Sequence, residues 1–279
     1  MEMLVDINNL LEEVIGMSIR PLKQDFSIFE KLCFEREPVA IKYEYMKPEG
    51  FDQLDKKLAL CEMIKEAQQR EKPFYITVDN ESCAGKGALG MVPGPSWAEA
   101  GLIGEKMGYF RDARENMRCT THYEVFKPGV VNYVVYAKLS QLTFDPDLLI
   151  FVGTADQAEI LLRAMAYSTG DMYESKATPV FQCSWLYTYP HLMGKINYIT
   201  TGLGIGMKAR KVFPSGLVIV SIPANWIPVI VKNLNEMELV LPYFAMDRET
   251  WVQEEADAMT AIDQAARDAG LISDDNKLF

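Results

Sequence analysis

The chain is 279 residues long, 49% hydrophobic, and carries a formal net charge of −11, from 28 Lys and Arg against 39 Asp and Glu. That length and apolar content allow a sizeable buried core and carry no disorder signature. The acidic balance, with no basic stripe, excludes a nucleic-acid backbone or an anionic membrane surface as the main partner, since both require clustered Lys and Arg.

The longest basic cluster, Lys208, Arg210 and Lys211, reads as a local anion contact or a solvated strand end. No run of about 18 apolar residues occurs, so no membrane-spanning helix is expected. The opening MEMLVDINNLLEEVIGM puts acids where a secretory signal needs lysines, and the expectation is a soluble, cytoplasmic protein. Five cysteines at irregular spacings, Cys33, Cys61, Cys83, Cys119 and Cys183, form no disulfide framework and suit a reducing compartment. There is no CxxC and no HExxH.

In chain order, Leu4 to Ile19 carries Leu4, Leu11 and Ile15 between acids, the pattern of an amphipathic helix ended by Pro21. A short helical stretch at Phe26 to Cys33, with Cys33 as a buried helix residue, leads to Pro38 and a strand through Val39, Ala40, Ile41 and Tyr43. Within Asp52 to Arg70 the period changes: Leu60, Met63, Ile64 and Ala67 place one apolar stripe on a helix, bordered by Cys61. Pro73 then introduces a strand, Phe74 to Val78, which delivers Cys83 through four polar residues into a glycine-rich arc. Ser96 with Glu99 reads as a capping box for a helix from Trp97 to Met107. Arg111 to Tyr123 is polar and ambiguous, and Asn132 to Leu139 is a strand.

After the turn at Asp145, Pro146 and Asp147 the pattern restarts. Leu148 to Val152 is a buried strand, Thr154 and Gln157 cap a helix, and Ala158, Leu161, Leu162, Met165 and Ala166 form its apolar stripe up to Gly170. Thr178 to Cys183 reads as a short proline-entered strand, Leu217 to Ile222 as another, and Trp226 to Met237 as a helix that admits Pro228 only in its first turn. A last helix, Glu249 to Ala269, aligns Val252, Ala256, Met259, Ile262 and Ala266 and could dock on its own chain or on a second subunit. The tail Ser273 to Phe279 is polar. The expected architecture is α/β: a single compact domain over 1–279, made of two pseudo-repeated strand-helix-strand halves, 38–140 and 146–234, forming mixed sheets flanked by helices.

Gly85-Lys86-Gly87-Ala88-Leu89-Gly90 matches G-x-G-x-x-G by letter. Context argues against a dinucleotide site, because the glycines must open a helix directly after a strand, and here Cys83 and polar residues intervene. No Ser or Thr follows a Gly-Lys pair, so a Walker loop is excluded too. A backbone nest at Gly85, Gly87 and Gly90 with Lys86 beside it could hold a small anion; the alternative is a tight loop needing glycine for geometry alone.

Cys83 lies past a strand end, among free N–H donors and next to a lysine, surroundings that favour the thiolate. Cys183, flanked by Ser184 and Trp185, would occupy a similar loop, and Cys61 could join them. Three thiolates suit zinc or an iron–sulfur cluster, whereas each cysteine alone is also an ordinary small core residue. His191 could act as a base or ligand if it reaches Cys83, while His122 reads as solvated. No G-x-S-x-G elbow supports a serine hydrolase. Trp185, Tyr187 and Tyr189 have period 2 and read as a strand face or pocket wall.

The segments PVAIKY (Pro38 to Tyr43), LCEMIKEA (Leu60 to Ala67), ESCAGKGALGM (Glu81 to Met91), DPDLLIFVGTADQAEILLRA (Asp145 to Ala164), FQCSW (Phe181 to Trp185) and VSIP (Val220 to Pro223) resemble the ArCR family of archaea and bacteria. The resemblance covers roughly Pro38 to Leu234 and is most specific around Cys83. It implies a common fold and draws attention to Cys61, Cys83 and Cys183, but supplies no activity or substrate. The expectation is a pocket between the Cys83 and Cys183 loops for a small anionic ligand or a thiolate-ligated metal, with redox or group-transfer chemistry. The alternatives are a non-catalytic sensing module or a protein acting through its surface. A homo-oligomer is also compatible with the sequence.

Overall fold

A computed structural model describes residues 24–94 and 100–272. The expected helix at Leu4 to Ile19, the Ser96 and Glu99 cap and the tail Ser273 to Phe279 lie outside the described residues.

The chain enters through a 3-10 turn, Ser27–Leu32, followed by strands β1 (Val39–Glu44) and β2 (Asp52–Gln53). Helix α1 (Leu60–Gln69), strand β3 (Phe74–Ile76) and three short helices, α2 (Gly85–Ala88), α3 (Leu102–Lys106) and α4 (Ala113–Thr120), precede β4 (Tyr133–Lys138). Then come β5 (Leu148–Gly153), α5 (Ala155–Ala166), a π-helical turn (Ser184–Thr188), α6 (Tyr189–Met193), β6 (Asn197–Thr200) and α7 (Ile205–Ala209). The remaining elements are β7 (Val218–Pro223), α8 (Ile227–Glu236) and α9 (Arg248–Asp268). No helix among the described residues is long and apolar enough to cross a membrane.

All seven strands join one mixed sheet in the order β2-β3-β4-β1-β5-β7-β6. Only the edge pair β2/β3 is parallel; the other neighbours run antiparallel. Register follows burial. Ile41 lies opposite Tyr136 and Val39 opposite Ile150, so alternate residues of β1, β4 and β5 share one face. On that face Val39, Ile41, Val134, Tyr136, Leu148 and Ile150 form a core with Leu60, Met63 and Ile64 of α1. The opposite face presents Phe151 to Phe29, ring centroids 5.0 Å apart, and carries α5 and α8, joined by Asn233 donating to the Ala164 carbonyl at 2.8 Å.

That arrangement bears on the expected repeat. The strands of the two halves occupy adjacent parts of the sheet, and β1 and β5, the first long strand of each, meet antiparallel. Their helices α1 and α5 nevertheless lie on opposite faces, which no twofold axis through that strand pair can produce. The strand expected at Thr178 to Cys183 is also absent: Phe181 is left-handed at φ 62 and Gln182 and Cys183 already belong to a helix. Trp185, Tyr187 and Tyr189 therefore sit on helical turns, not on a strand face. Cys33 differs as well. The 3-10 turn closes at Leu32, leaving Cys33 left-handed at φ 49 and exposed.

Local capping matches the sequence reading closely. Thr154 Oγ1 accepts from the Gln157 N–H at 3.3 Å while Gln157 Oε1 accepts from the Thr154 N–H at 3.0 Å, fixing the start of α5. Gly170, at φ 70, takes the Ala166 carbonyl at its end. The described residues up to Met237 form one compact unit, and the described residues from Glu238 a second that contains α9. In the latter, Asp247 caps α9 by accepting the Thr250 N–H at 2.9 Å.

Gly90 closes the segment that carries the cysteine loop. Its φ is 66, and a Cβ there would stand 2.5 Å from the Lys127 carbonyl oxygen, an atom of the backbone with no freedom to move aside. Gly90→Ala is expected to cost about 2–3 kcal/mol of unfolding free energy. Urea denaturation checks this: a loss below about 1 kcal/mol would mean that the 127 segment yields.

Candidate thiol site

The loop after β3 is built before the cysteine is reached. The buried Asn80 side chain accepts the Thr77 N–H at 3.0 Å and donates to the carbonyls of Leu54 at 2.7 Å and Lys56 at 3.0 Å. Ser82 N–H donates to the Leu58 carbonyl at 3.0 Å and Leu58 N–H to that of Asn80 at 2.9 Å. This double clamp places Glu81, only 2% exposed, against the start of α1.

Glu81 then folds back under its own loop. Its carboxyl accepts the N–H of Leu60 at 3.1 Å, of Cys83 at 3.1 Å and of Lys86 at 3.0 Å, and Oε1 lies 3.3 Å from Cys83 Sγ. The group that the backbone of this arc cradles is thus the protein's own carboxyl, not an outside anion. The glycines act accordingly. Gly85 N–H points at Cys83 Sγ, 3.4 Å away, and a Cβ at Gly85 would lie 2.7 Å from Leu60 Cγ. The segment 85–88 winds into α2 instead of an open nest, with the N–H groups of Gly87, Leu89 and Gly90 donating to the carbonyls of Ala84, Gly85 and Gly87. Lys86 Nζ reaches the Glu81 carbonyl at 3.4 Å.

Cys183 arrives from the other half of the chain at the head of the π-helical turn. Ser184 Oγ and Thr188 Oγ1 both donate to the Glu124 carbonyl, the former at 2.8 Å. Tyr187 Oη donates to the Leu60 carbonyl at 2.7 Å, Tyr43 Oη to the Tyr187 carbonyl at 2.9 Å, and Asn197 Nδ2 to that of Trp185 at 2.9 Å. A π turn forms where side chains from three elements draw it in this way, and its register sets Cys183 against Cys83.

Cys83 and Cys183 lie close enough that each is the leading influence on the other's titration. Donation from the Cys183 S–H is the largest influence on Cys83 and holds it down to about 5, helped by the Gly85 N–H, Glu81 and the Arg210 guanidinium, against burial. Cys183 is pushed well up by donating to Cys83 and by burial. Cys61, on α1, feels the same charge. Burial and Cys83 raise it to about 12. Burial, then the Cys83 charge, pushes Glu81 up to about 8 despite its N–H bonds. One nucleophilic thiolate, two thiols and a protonated carboxyl result. Arg210, just past α7, is anchored by Glu62 with Nε to Oε2 at 3.6 Å.

Of the residues singled out in the sequence, Cys61, Cys83, Cys183, Gly85 and Lys86 meet here, all packed on or beside the same core. Others do not. His191 lies against Tyr43 and Phe126, ring centroids 4.9 and 5.4 Å away, with no hydrogen bond to Cys83. Trp185 Nε1 donates to Thr178 Oγ1 at 2.7 Å, and its ring packs on Tyr189 at 5.3 Å. Gly87 and Gly90 shape the loop. Among the described residues no group of three or more His, Cys, Asp or Glu side chains is disposed to hold a metal ion, so the cysteines cluster without forming a ligand set.

Glu81 was missed by the sequence reading, and Arg210 and Tyr187, read there as part of a basic cluster and of a strand face or pocket wall, were not assigned to the thiol site. An acid two residues before a cysteine hints at the first; nothing local marks the other two, which reach the site only through tertiary packing.

Comparison with known proteins supports the same assignment of the chain. The family described as Uncharacterised ArCR matches residues 27–233. An uncharacterised protein of Methanocaldococcus jannaschii is 31% identical over 153 residues, a match spanning 53% of this chain and 65% of that relative. No solved structure matches. The chain is a member of the ArCR family.

Proposed function

We propose that the protein carries out thiol–disulfide chemistry, with Cys83 as the attacking thiolate and Cys183 as the second thiol. The observation that carries the reading is the juxtaposition of the two sulfurs beside one core, with Cys83 pulled down toward the thiolate and Cys183 pushed up. Cys83 is half-buried and keeps an exposed portion through which a small molecule can approach.

The step balances as follows. The Cys83 thiolate attacks one sulfur of a small-molecule disulfide, breaking its S–S bond and expelling a thiolate. Glu81, relieved of the neighbouring charge, gives its proton to that leaving group. Its carboxylate then takes the Cys183 proton, and the Cys183 thiolate attacks Cys83 Sγ, displacing the second thiolate and closing a Cys83–Cys183 disulfide. The protein loses two electrons, and the small disulfide gains them. Whether the oxidised form turns over or serves as a sensing state depends on what reduces it.

Reduced protein carrying Cys33→Ser and Cys119→Ser, treated with 5,5′-dithiobis(2-nitrobenzoate), tests this. The expected result is release of both aryl thiolates and a mapped Cys83–Cys183 crosslink, with neither in the variant that also carries Cys83→Ser. A stable mixed disulfide at Cys83, with Cys183 still a thiol, would overturn the pairing.

A further inference from the structure

We propose that a second site, the cleft between α1 and the segment after β6, binds a small phosphate-bearing polyanion. The cleft has a volume of about 500 Å³ and is lined by Arg36, Lys65, Thr201, Lys208, Lys211 and Ser215. Four cations converge there from three separate stretches of a chain whose net charge is −11.

Their convergence is built by the fold. Lys65 projects from α1, one turn beyond Cys61. Lys208 lies in α7, and Lys211 is brought round to the same cleft by a left-handed backbone, φ 52, with its N–H donating to the Lys208 carbonyl at 3.1 Å and Val212 N–H to that of Met207 at 3.1 Å. A non-glycine residue in that conformation costs of order 1 kcal/mol, which the surrounding hydrogen bonds offset. The buried Thr201 pins the far wall by donating to the Pro214 carbonyl at 2.6 Å. Arg36 pairs with the exposed Glu35 at 2.9 Å. Among the described residues, Lys65, Lys208 and Lys211 form no ion pair with a carboxylate, although acids outnumber bases in the chain.

Like charges gathered at one concavity repel, and a multivalent anion removes that repulsion while using the field focused there. Lysine binds phosphate oxygens as a point charge with no fixed fork geometry, and a phosphate group, which carries more charge than a carboxylate, makes fuller use of four converging cations. The site lies outside the thiol cluster. Arg210, which helps hold the Cys83 thiolate, directly precedes Lys211.

Titration calorimetry with inorganic pyrophosphate is the test. Saturable one-to-one binding that weakens as salt rises is expected, unchanged in Cys83→Ser. The double substitution Lys65→Ala, Lys208→Ala is expected to weaken it by about 30-fold, the loss of two contacts of about 1 kcal/mol each. Both side chains are exposed, and thermal unfolding of the variant checks that it folds. No binding, binding insensitive to salt or to the double substitution, binding lost in Cys83→Ser, or tighter binding of citrate than of pyrophosphate would each overturn the assignment.

Discussion

Replacing Cys183 by alanine is expected to move the midpoint of Cys83 alkylation from about pH 5 toward the ordinary thiol value of about 8.5. The Cys183 S–H is the largest influence holding the thiolate, and the remaining helpers, the Gly85 N–H, Glu81 and Arg210, must work against burial without it. At pH 6 a full shift would lower the thiolate fraction about 300-fold. A thiolate of higher pKa is intrinsically more nucleophilic, which recovers part of the loss and leaves the rate about tenfold down. Above about pH 7 the order reverses, and the variant reacts faster than the parent protein. Iodoacetamide labelling followed by peptide mass mapping across pH 4 to 10 reads the midpoint directly. A midpoint still below about 6 in the variant would remove Cys183 from the account of the thiolate, and with it the pairing on which the proposed chemistry rests.

Glu81→Ala is expected to destabilise the protein by about 3–5 kcal/mol, because three backbone N–H groups, those of Leu60, Cys83 and Lys86, lose their acceptor at a buried position. Glu81→Gln keeps one acceptor oxygen and is expected to cost less, about 1–2 kcal/mol. The glutamine variant also carries a pH signature. The Glu81 carboxyl is raised from 4.5 to about 8, so its share of stability is complete below about 4.5 and is lost as pH rises through 8. The Cys83 thiol is lowered from 9.0 to about 5, so its share is complete above about 9 and is lost as pH falls through 5. Between pH 5 and 8 the two slopes are opposite and cancel in the parent protein. In Glu81→Gln only the thiol slope survives, and stability should climb with pH across that window. Urea denaturation at pH 5.5, 6.5 and 7.5 measures it. Equal stability of the variant at all three would show that the Cys83 thiol is not held below its ordinary value.

The sequence alone determined the elements whose signals are local. The apolar stripe of α1 at Leu60, Met63, Ile64 and Ala67, the Thr154 and Gln157 box of α5, the strands β4, β5 and β7 and the proline in the first turn of α8 all depend on residues within a turn or two of one another. Cys83 was legible for the same reason: a strand that stops, polar residues and then glycines announce a loop. Thr178 to Cys183 shows where this fails. Its β-branched and aromatic residues suit a strand, but the helical turn wins because Ser184, Tyr187 and Thr188 find partners on Glu124 and Leu60, 60 residues or more away in the sequence. Only the tertiary structure set Glu81 beneath its own loop, brought Arg210 within electrostatic reach of the thiolate and gathered Lys65 with Lys208 and Lys211. Such placements are decided by which faces the sheet buries, and that is a property of the whole packed core, to which no single stretch of residues holds the key.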